Sequence, residues 1–139
     1  MLSTWVTESG HDDKPLDWLF DLRSGRDLEH VALALRAVLE DPGLSIGDCQ
    51  TALLAAECVA FLRGAPADLH RDARRWLEGS RFQADEALVA LALKSVDAIA
   101  AASNLKSYWQ QLWPEEQGEW MASVTALRER ITHPESAVE

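Results

Sequence analysis

A run of apolar residues that contains only one charge constrains the fold of this chain more than any other feature. From Ala52 to Leu62, the single charged side chain is Glu57. A helix that is apolar on all sides belongs in the centre of a fold. The run is too short to cross a bilayer, which takes about 20 apolar residues. Residues 48–62 are therefore predicted to form a buried central helix, around which the other elements pack.

Amphipathic patterns on both sides of this run predict further helices. The clearest covers 28–40, where Leu28, Val31, Ala32, Leu35, Val38 and Leu39 form one apolar stripe. Other helices are predicted over 13–22, 67–77, 85–102, 105–113 and 115–131. The helix over 85–102 is apolar on both sides and is predicted to be buried on both, and the last helix has an apolar stripe of Trp120, Val124, Leu127 and Ile131. Residues 1–12 are predicted to be an irregular arm and 132–139 a frayed tail, and no stretch alternates as a strand does. The sequence thus predicts an all-α fold, a single compact domain over 1–139 with six to seven helices.

The chain is long enough to form one hydrophobic core without disulfide bonds. A chain of 139 residues buries close to 70% of its unfolded surface on folding. Cys49 and Cys58 fall in the same predicted helix, about 13 Å apart along its axis, and cannot bridge each other there. Both cysteines are interpreted as small core residues.

The charge of the chain restricts its partners. A net charge of −10 repels phosphate backbones and anionic lipids, so neither nucleic acid nor a membrane is expected as a partner. The same charge attracts a cationic protein, although a merely soluble acidic surface explains it equally well. Because the N-terminus has no basic and apolar segments of a signal peptide, a cytoplasmic location is expected.

Glu57 is the first candidate for chemistry, because an ionised carboxylate in an apolar helix needs a partner. The favoured interpretation is a buried acid that accepts hydrogen bonds from backbone N–H groups of the arm or from a Trp indole. The alternatives are a metal ligand and a general acid or base. Which of these applies decides whether the central helix carries function or only structure.

Acidic residues near the N-terminus offer a possible metal site. Asp13 and Asp17 are four residues apart on one predicted helix, and Glu57 would be a third ligand if the arm folds over the central helix. Carboxylates at a helix N-terminus are also ordinary capping and dipole chemistry, which is the preferred interpretation. No metal or cofactor is therefore expected, and the usual catalytic motifs are absent from the sequence.

Aromatic and acidic side chains are the candidates for partner binding. The chain has six tryptophans, and Trp109 and Trp113 cluster near Tyr108. Trp and Tyr are enriched at binding hot spots, although they also fill helical cores. The acidic candidates lie off the apolar stripes: Asp12, Asp21, Glu29, Glu40 and Asp41.

Two segments together resemble a family of short, mostly bacterial proteins grouped as a domain of unknown function. The family's N-terminus reads roughly W-G-x-G-x-F-x-N-D-x-A-x-D-W-L-x-x-L, and a later helix is of the A-A-E-V-V-A-x-L-x-G type. Matching positions are Trp5, Asp13, Asp17, Trp18, Leu19, Leu22 and the run A-A-E-C-V-A-F-L-R-G at 55–64. Val6 and Glu8 replace the two family glycines. The resemblance, over about residues 3–131, implies a small all-helical domain and no established activity.

Two functions of different classes follow as hypotheses. The preferred one is a non-catalytic acidic protein-binding module, most concretely an immunity- or antitoxin-like inhibitor that occupies a basic cleft of a toxin or enzyme. The rival is a small metal-dependent enzyme that uses Asp13, Asp17 and Glu57. The sequence leaves the oligomeric state open.

Overall fold

The computed structural model describes residues 28–41, 46–64, 75, 77–78, 83–101, 106–107, 110–111, 114–115 and 117–133. They form four helices, which are α1 (Glu29–Glu40), α2 (Ile46–Leu62), α3 (Glu86–Ala101) and α4 (Gln117–Thr132). No strand occurs in this part of the chain, which confirms the all-α class. The count of four differs from the predicted six to seven.

Several predicted elements fall wholly or partly outside the described residues. These are the arm over 1–12, the helix over 13–22, residues 134–139 of the tail and most of the helices over 67–77 and 105–113. Within the last two, Arg75, Leu77, Glu78, Lys106, Ser107, Gln110 and Gln111 are helical. The described part of the chain has no helix with the length and apolar content that a membrane span requires.

Helix α2 is the centre of the fold, as its composition predicts. Every residue from Cys49 to Ala60 is buried, on all sides of the helix. The helix ends at Leu62 and is followed by a turn at Gly64, whose φ of 90° lies in the left-handed region that glycine adopts without strain. The Gly64 amide donates to the Phe61 carbonyl at 2.9 Å and so satisfies one of the last carbonyl groups.

Helices α1 and α4 each pack against both α2 and α3. The core is therefore built on the α2–α3 pair, against which two amphipathic helices pack. In α3, the predicted burial of both sides is only partly correct, because Leu88, Ala92, Val96 and Ile99 are buried while Val89, Leu93 and Ala100 are partly buried. Helices α1 and α4 thus contact the same two helices, α2 and α3.

The apolar stripe of α1 is narrower than the sequence predicts. Val31, Leu35 and Val38 are buried, whereas Leu39 is 40% exposed and Leu28 is only half-buried. At about 100° per residue, Leu39 turns away from the face that Val38 occupies. Leu28 is the N-cap residue and makes no side-chain cap hydrogen bond. The stripe of six residues is thus a buried face with exposed apolar residues beside it.

Polar contacts fix α3 at its start and at its contact with α1. Asp85 Oδ1 accepts a hydrogen bond from the Leu88 amide at 2.8 Å, which is N-cap geometry. Ser95 Oγ is fully buried and lies 2.7 Å from the Leu35 carbonyl oxygen and 2.9 Å from that of Leu91. Its hydroxyl hydrogen is shared between a carbonyl of α1 and one of its own helix.

Candidate functional site

Glu57 forms a two-bond ion pair with Arg130 of α4. Arg130 Nη1 donates to Glu57 Oε2 at 2.8 Å, and Nη2 donates to Oε1 at 2.7 Å. The Glu57 side chain is 1% exposed and that of Arg130 is 12% exposed. Parallel N–H···O bonds between charged groups are among the strongest hydrogen bonds in proteins. The pair joins the central helix to the last one across 73 residues of sequence.

The sequence of α4 explains how Arg130 reaches a buried position. Its predicted stripe is confirmed, because Trp120, Val124, Leu127 and Ile131 are all buried. At about 100° per residue, Arg128 and Arg130 fall on opposite edges of this stripe. Arg128 Nε donates to Asp97 Oδ1 of α3 at 2.7 Å, on the exposed side. This hydrogen bond and the charge of Asp97 raise the pKa of Arg128. Arg130 bonds to α2 and Arg128 to α3, so the two edges of α4 each carry a cation that contacts a different neighbouring helix.

Glu57 is a buried acid that accepts hydrogen bonds, as predicted, and Arg130, which the sequence analysis did not name, is one donor. The predicted donors in the arm lie outside the described residues. A signal for Arg130 exists in the sequence, since a cation at the edge of a buried stripe is a natural partner for a buried acid. Asp13 and Asp17 lie outside the described residues, so the metal-dependent enzyme remains a hypothesis. Within the part of the chain that the structure covers, no group of three or more His, Cys, Asp or Glu has the geometry of a metal site.

The two cysteines of α2 are core residues, as predicted. Cys49 and Cys58 are both buried and unbridged. Burial raises the pKa of the Cys58 thiol, and the adjacent charge of Glu57 raises it further. Because the thiolate is the reactive form, Cys58 is held in its unreactive form. The central helix therefore carries the acidic member of an ion pair and two buried cysteines.

A second candidate site lies on the solvent side of α1. Three of the predicted partner-binding acids, Glu29, Glu40 and Asp41, are exposed there. Leu33, which the sequence analysis did not single out, is 54% exposed. At about 100° per residue, Glu29, Leu33 and Glu40 share one face. We call Glu29, Leu33, Glu40 and Asp41 the acidic face of α1.

An apolar residue off the predicted stripe is the sequence signal that identifies Leu33. Asp12, Asp21, Trp109 and Trp113 lie outside the described residues, and their roles in partner binding stay predictions. Glu29 also accepts a hydrogen bond at 3.1 Å from Arg36 Nη1, about two turns further along the same helix. The acidic face is thus an exposed leucine near three exposed acidic residues, of which Glu29 bonds to Arg36 within α1.

Comparison with known proteins identifies a family and no individual relative. Residues 3–123 match the model of a domain of unknown function, DUF4259. No curated protein and no solved structure matches the chain. The match covers most of the chain, and the chain therefore belongs to the DUF4259 family.

Proposed function

We propose that this DUF4259 protein is a non-catalytic acidic protein-binding module, most concretely an immunity- or antitoxin-like inhibitor that occupies a basic cleft of a toxin or enzyme. The observation that carries the proposal is the acidic face of α1, on which Leu33 stands exposed between carboxylates. Interfaces commonly combine an apolar centre with a polar rim, and Leu33 with the carboxylates around it offers this combination on a small scale. The net charge of −10 adds long-range attraction for a cationic partner.

The two kinds of side chain on this face would contribute differently to a complex. Carboxylates at the rim of an interface steer association and set its salt dependence. An apolar side chain that enters a dry pocket slows dissociation. The partner that fits would have an apolar pocket bordered by Lys or Arg side chains. Glu40 and Asp41 would meet those cations, and Leu33 would fill the pocket.

The buried acid of α2 supports a structural rather than a catalytic role for this helix. Both oxygens of Glu57 accept hydrogen bonds from Arg130. Two parallel hydrogen bonds from a guanidinium hold a carboxylate in a fixed orientation, as in a structural ion pair. We therefore place the function on the surface of the bundle rather than at its centre.

Site-specific photo-crosslinking in the native cell tests the proposal. A photoreactive amino acid at Ala37, one turn after Leu33, is expected to capture a basic protein. The same group at the exposed Ala126 of α4 is the matched control and should not capture it. Equal capture from both positions, or from neither, would remove the support for an interface on α1.

Binding kinetics with the captured partner then separate charge from apolar contact. Glu40→Lys should lower the association rate and weaken its dependence on salt, whereas Leu33→Asp should raise the dissociation rate. Glu129→Lys, at an exposed position of α4, changes the net charge by the same amount as Glu40→Lys and serves as the control. An association rate that is the same at low and high ionic strength would contradict the inhibitor model.

A further inference from the structure

A groove lies between α1 and α3, and its lining includes Glu29 of the acidic face but not Leu33. Its volume is about 730 Å³, which is within the range of about 300–1,000 Å³ typical of small-molecule sites. Its apolar walls come from both helices and include Leu28, Ala32, Leu88 and Leu91. The partial exposure of Leu39, unexpected from the stripe of α1, is explained by its place in this groove.

Four charged side chains border the groove, and three of them are engaged within the protein. Arg36 is bonded to Glu29, and the carboxylate of Asp85 caps α3 through the Leu88 amide. Lys94 is exposed and has no ion pair with any residue that the structure describes. The groove therefore combines apolar walls with a cation, Lys94, that lies nine residues along the chain from the Asp85 carboxylate.

We propose that this groove binds a small anionic amphiphile, a single apolar chain with one carboxylate head that pairs with Lys94. The apolar walls take the chain, for which each buried methylene strengthens binding about fourfold. A head with several charges is disfavoured, because Glu29 and Asp85 border the same groove and the whole protein is acidic. The inference concerns a small ligand and does not depend on the protein partner proposed above.

Calorimetric titration with octanoate, hexanoate and 1-heptanol below their aggregation concentrations tests the ligand class. Octanoate should bind saturably with one site per chain. Hexanoate, two methylenes shorter, should bind at least tenfold more weakly. The neutral 1-heptanol has the same number of alkyl carbons as octanoate and should bind about two- to fivefold more weakly, the range expected for an exposed ion pair. Absence of saturable octanoate binding, or equal affinity for octanoate and 1-heptanol, would overturn the proposal.

Matched variants locate the head and the chain. Lys94→Gln should weaken octanoate binding about two- to fivefold and leave 1-heptanol binding unchanged, while Lys106→Gln should change neither. Ala87→Trp, which fills the groove from α3, should abolish binding of both ligands, and Ala126→Trp on α4 should not. Circular dichroism confirms that each variant is folded. Undiminished binding in Ala87→Trp would place the ligand elsewhere and contradict the assignment.

Discussion

Helices α1 and α4 pack against the same α2–α3 pair, yet different forces hold them. The two arginines at the edges of α4 bond to carboxylates on the helices beneath it, Glu57 of α2 and Asp97 of α3. On α1, Arg36 pairs with Glu29 of its own helix, and the bond to α3 is a neutral one from Ser95 to a backbone carbonyl. Charge thus connects α4 to the core, while α1 directs its acids and Leu33 outward.

This difference separates the residues that stabilise the fold from those available to a partner. Removing one member of a buried ion pair leaves the other charged and desolvated, which costs about 3–5 kcal/mol. An exposed carboxylate such as Glu40 can change at a cost of about 0.5 kcal/mol or less. We therefore expect stability to depend on the contacts of α4 and binding to depend on the outer face of α1.

The largest effect should come from ending the chain at residue 123, where the match to the family model ends. The truncation removes Val124, Leu127 and Ile131, all buried and each worth about 1.5–3 kcal/mol. It also removes Arg130 and leaves Glu57 without this partner. Because a domain is stable by only about 5–15 kcal/mol, residues 1–123 should lack a cooperative unfolding transition in circular dichroism. A chain that ends at His133 is the control, and equal melting of the two would mean that α4 contributes little.

The second prediction compares the two arginines of α4. Arg130→Met should lower the free energy of unfolding by about 3–5 kcal/mol, because it strands the Glu57 carboxylate in the core. Arg128→Met, on the exposed edge of the same helix, should cost about 1 kcal/mol or less. Urea denaturation of both variants measures the difference. Equal costs would show that α4 is held by its apolar stripe and not by the buried ion pair.

Variants of Glu57 test whether its charge or its shape matters. Because the partner is a cation, Glu57→Gln and Glu57→Leu should both be strongly destabilising, as each removes the buried carboxylate that accepts two hydrogen bonds from the partly buried Arg130. Combining Glu57→Leu with Arg130→Met should recover much of the loss, since an apolar pair of similar volume can replace a buried ion pair. A double variant as unstable as the worse single one would contradict this account.

Periodicity and composition were sufficient to predict the helices, the central position of α2 and the buried stripe of α4. These features depend on local patterns, which the sequence contains directly. The partner of Glu57 could not be predicted in the same way, because Arg130 is brought to it by the packing of α4 over 73 residues of separation. The exposed position of Leu39 was also missed, because the stripe indicates which residues are apolar and not how much of it the neighbouring helix covers.

The fourth prediction concerns the neutral contact between α1 and α3. Ser95→Ala removes a buried hydroxyl that lies 2.7 Å from the Leu35 carbonyl oxygen. The cost should be about 0.5–1.5 kcal/mol, the usual net value of one hydrogen bond. Ser95→Val, which adds volume in place of the hydroxyl, should cost more because the position is fully buried. Thermal denaturation measures both, and no change in Ser95→Ala would assign the packing of α1 entirely to its apolar face.

The smallest expected effect is the coupling between Asp97 and Arg128. Their side chains are 52% and 42% exposed, so water screens the pair and a double-mutant cycle with Asp97→Ala and Arg128→Ala should give about 0.2–1 kcal/mol. In 1 M salt the screening length falls to about 3 Å, and most of this coupling should disappear. The coupling between Glu57 and Arg130 should change little in the same salt, because buried pairs are screened much less. A coupling of Asp97 with Arg128 that is large and insensitive to salt would mean that both edges of α4 are held equally, and that burial does not distinguish them.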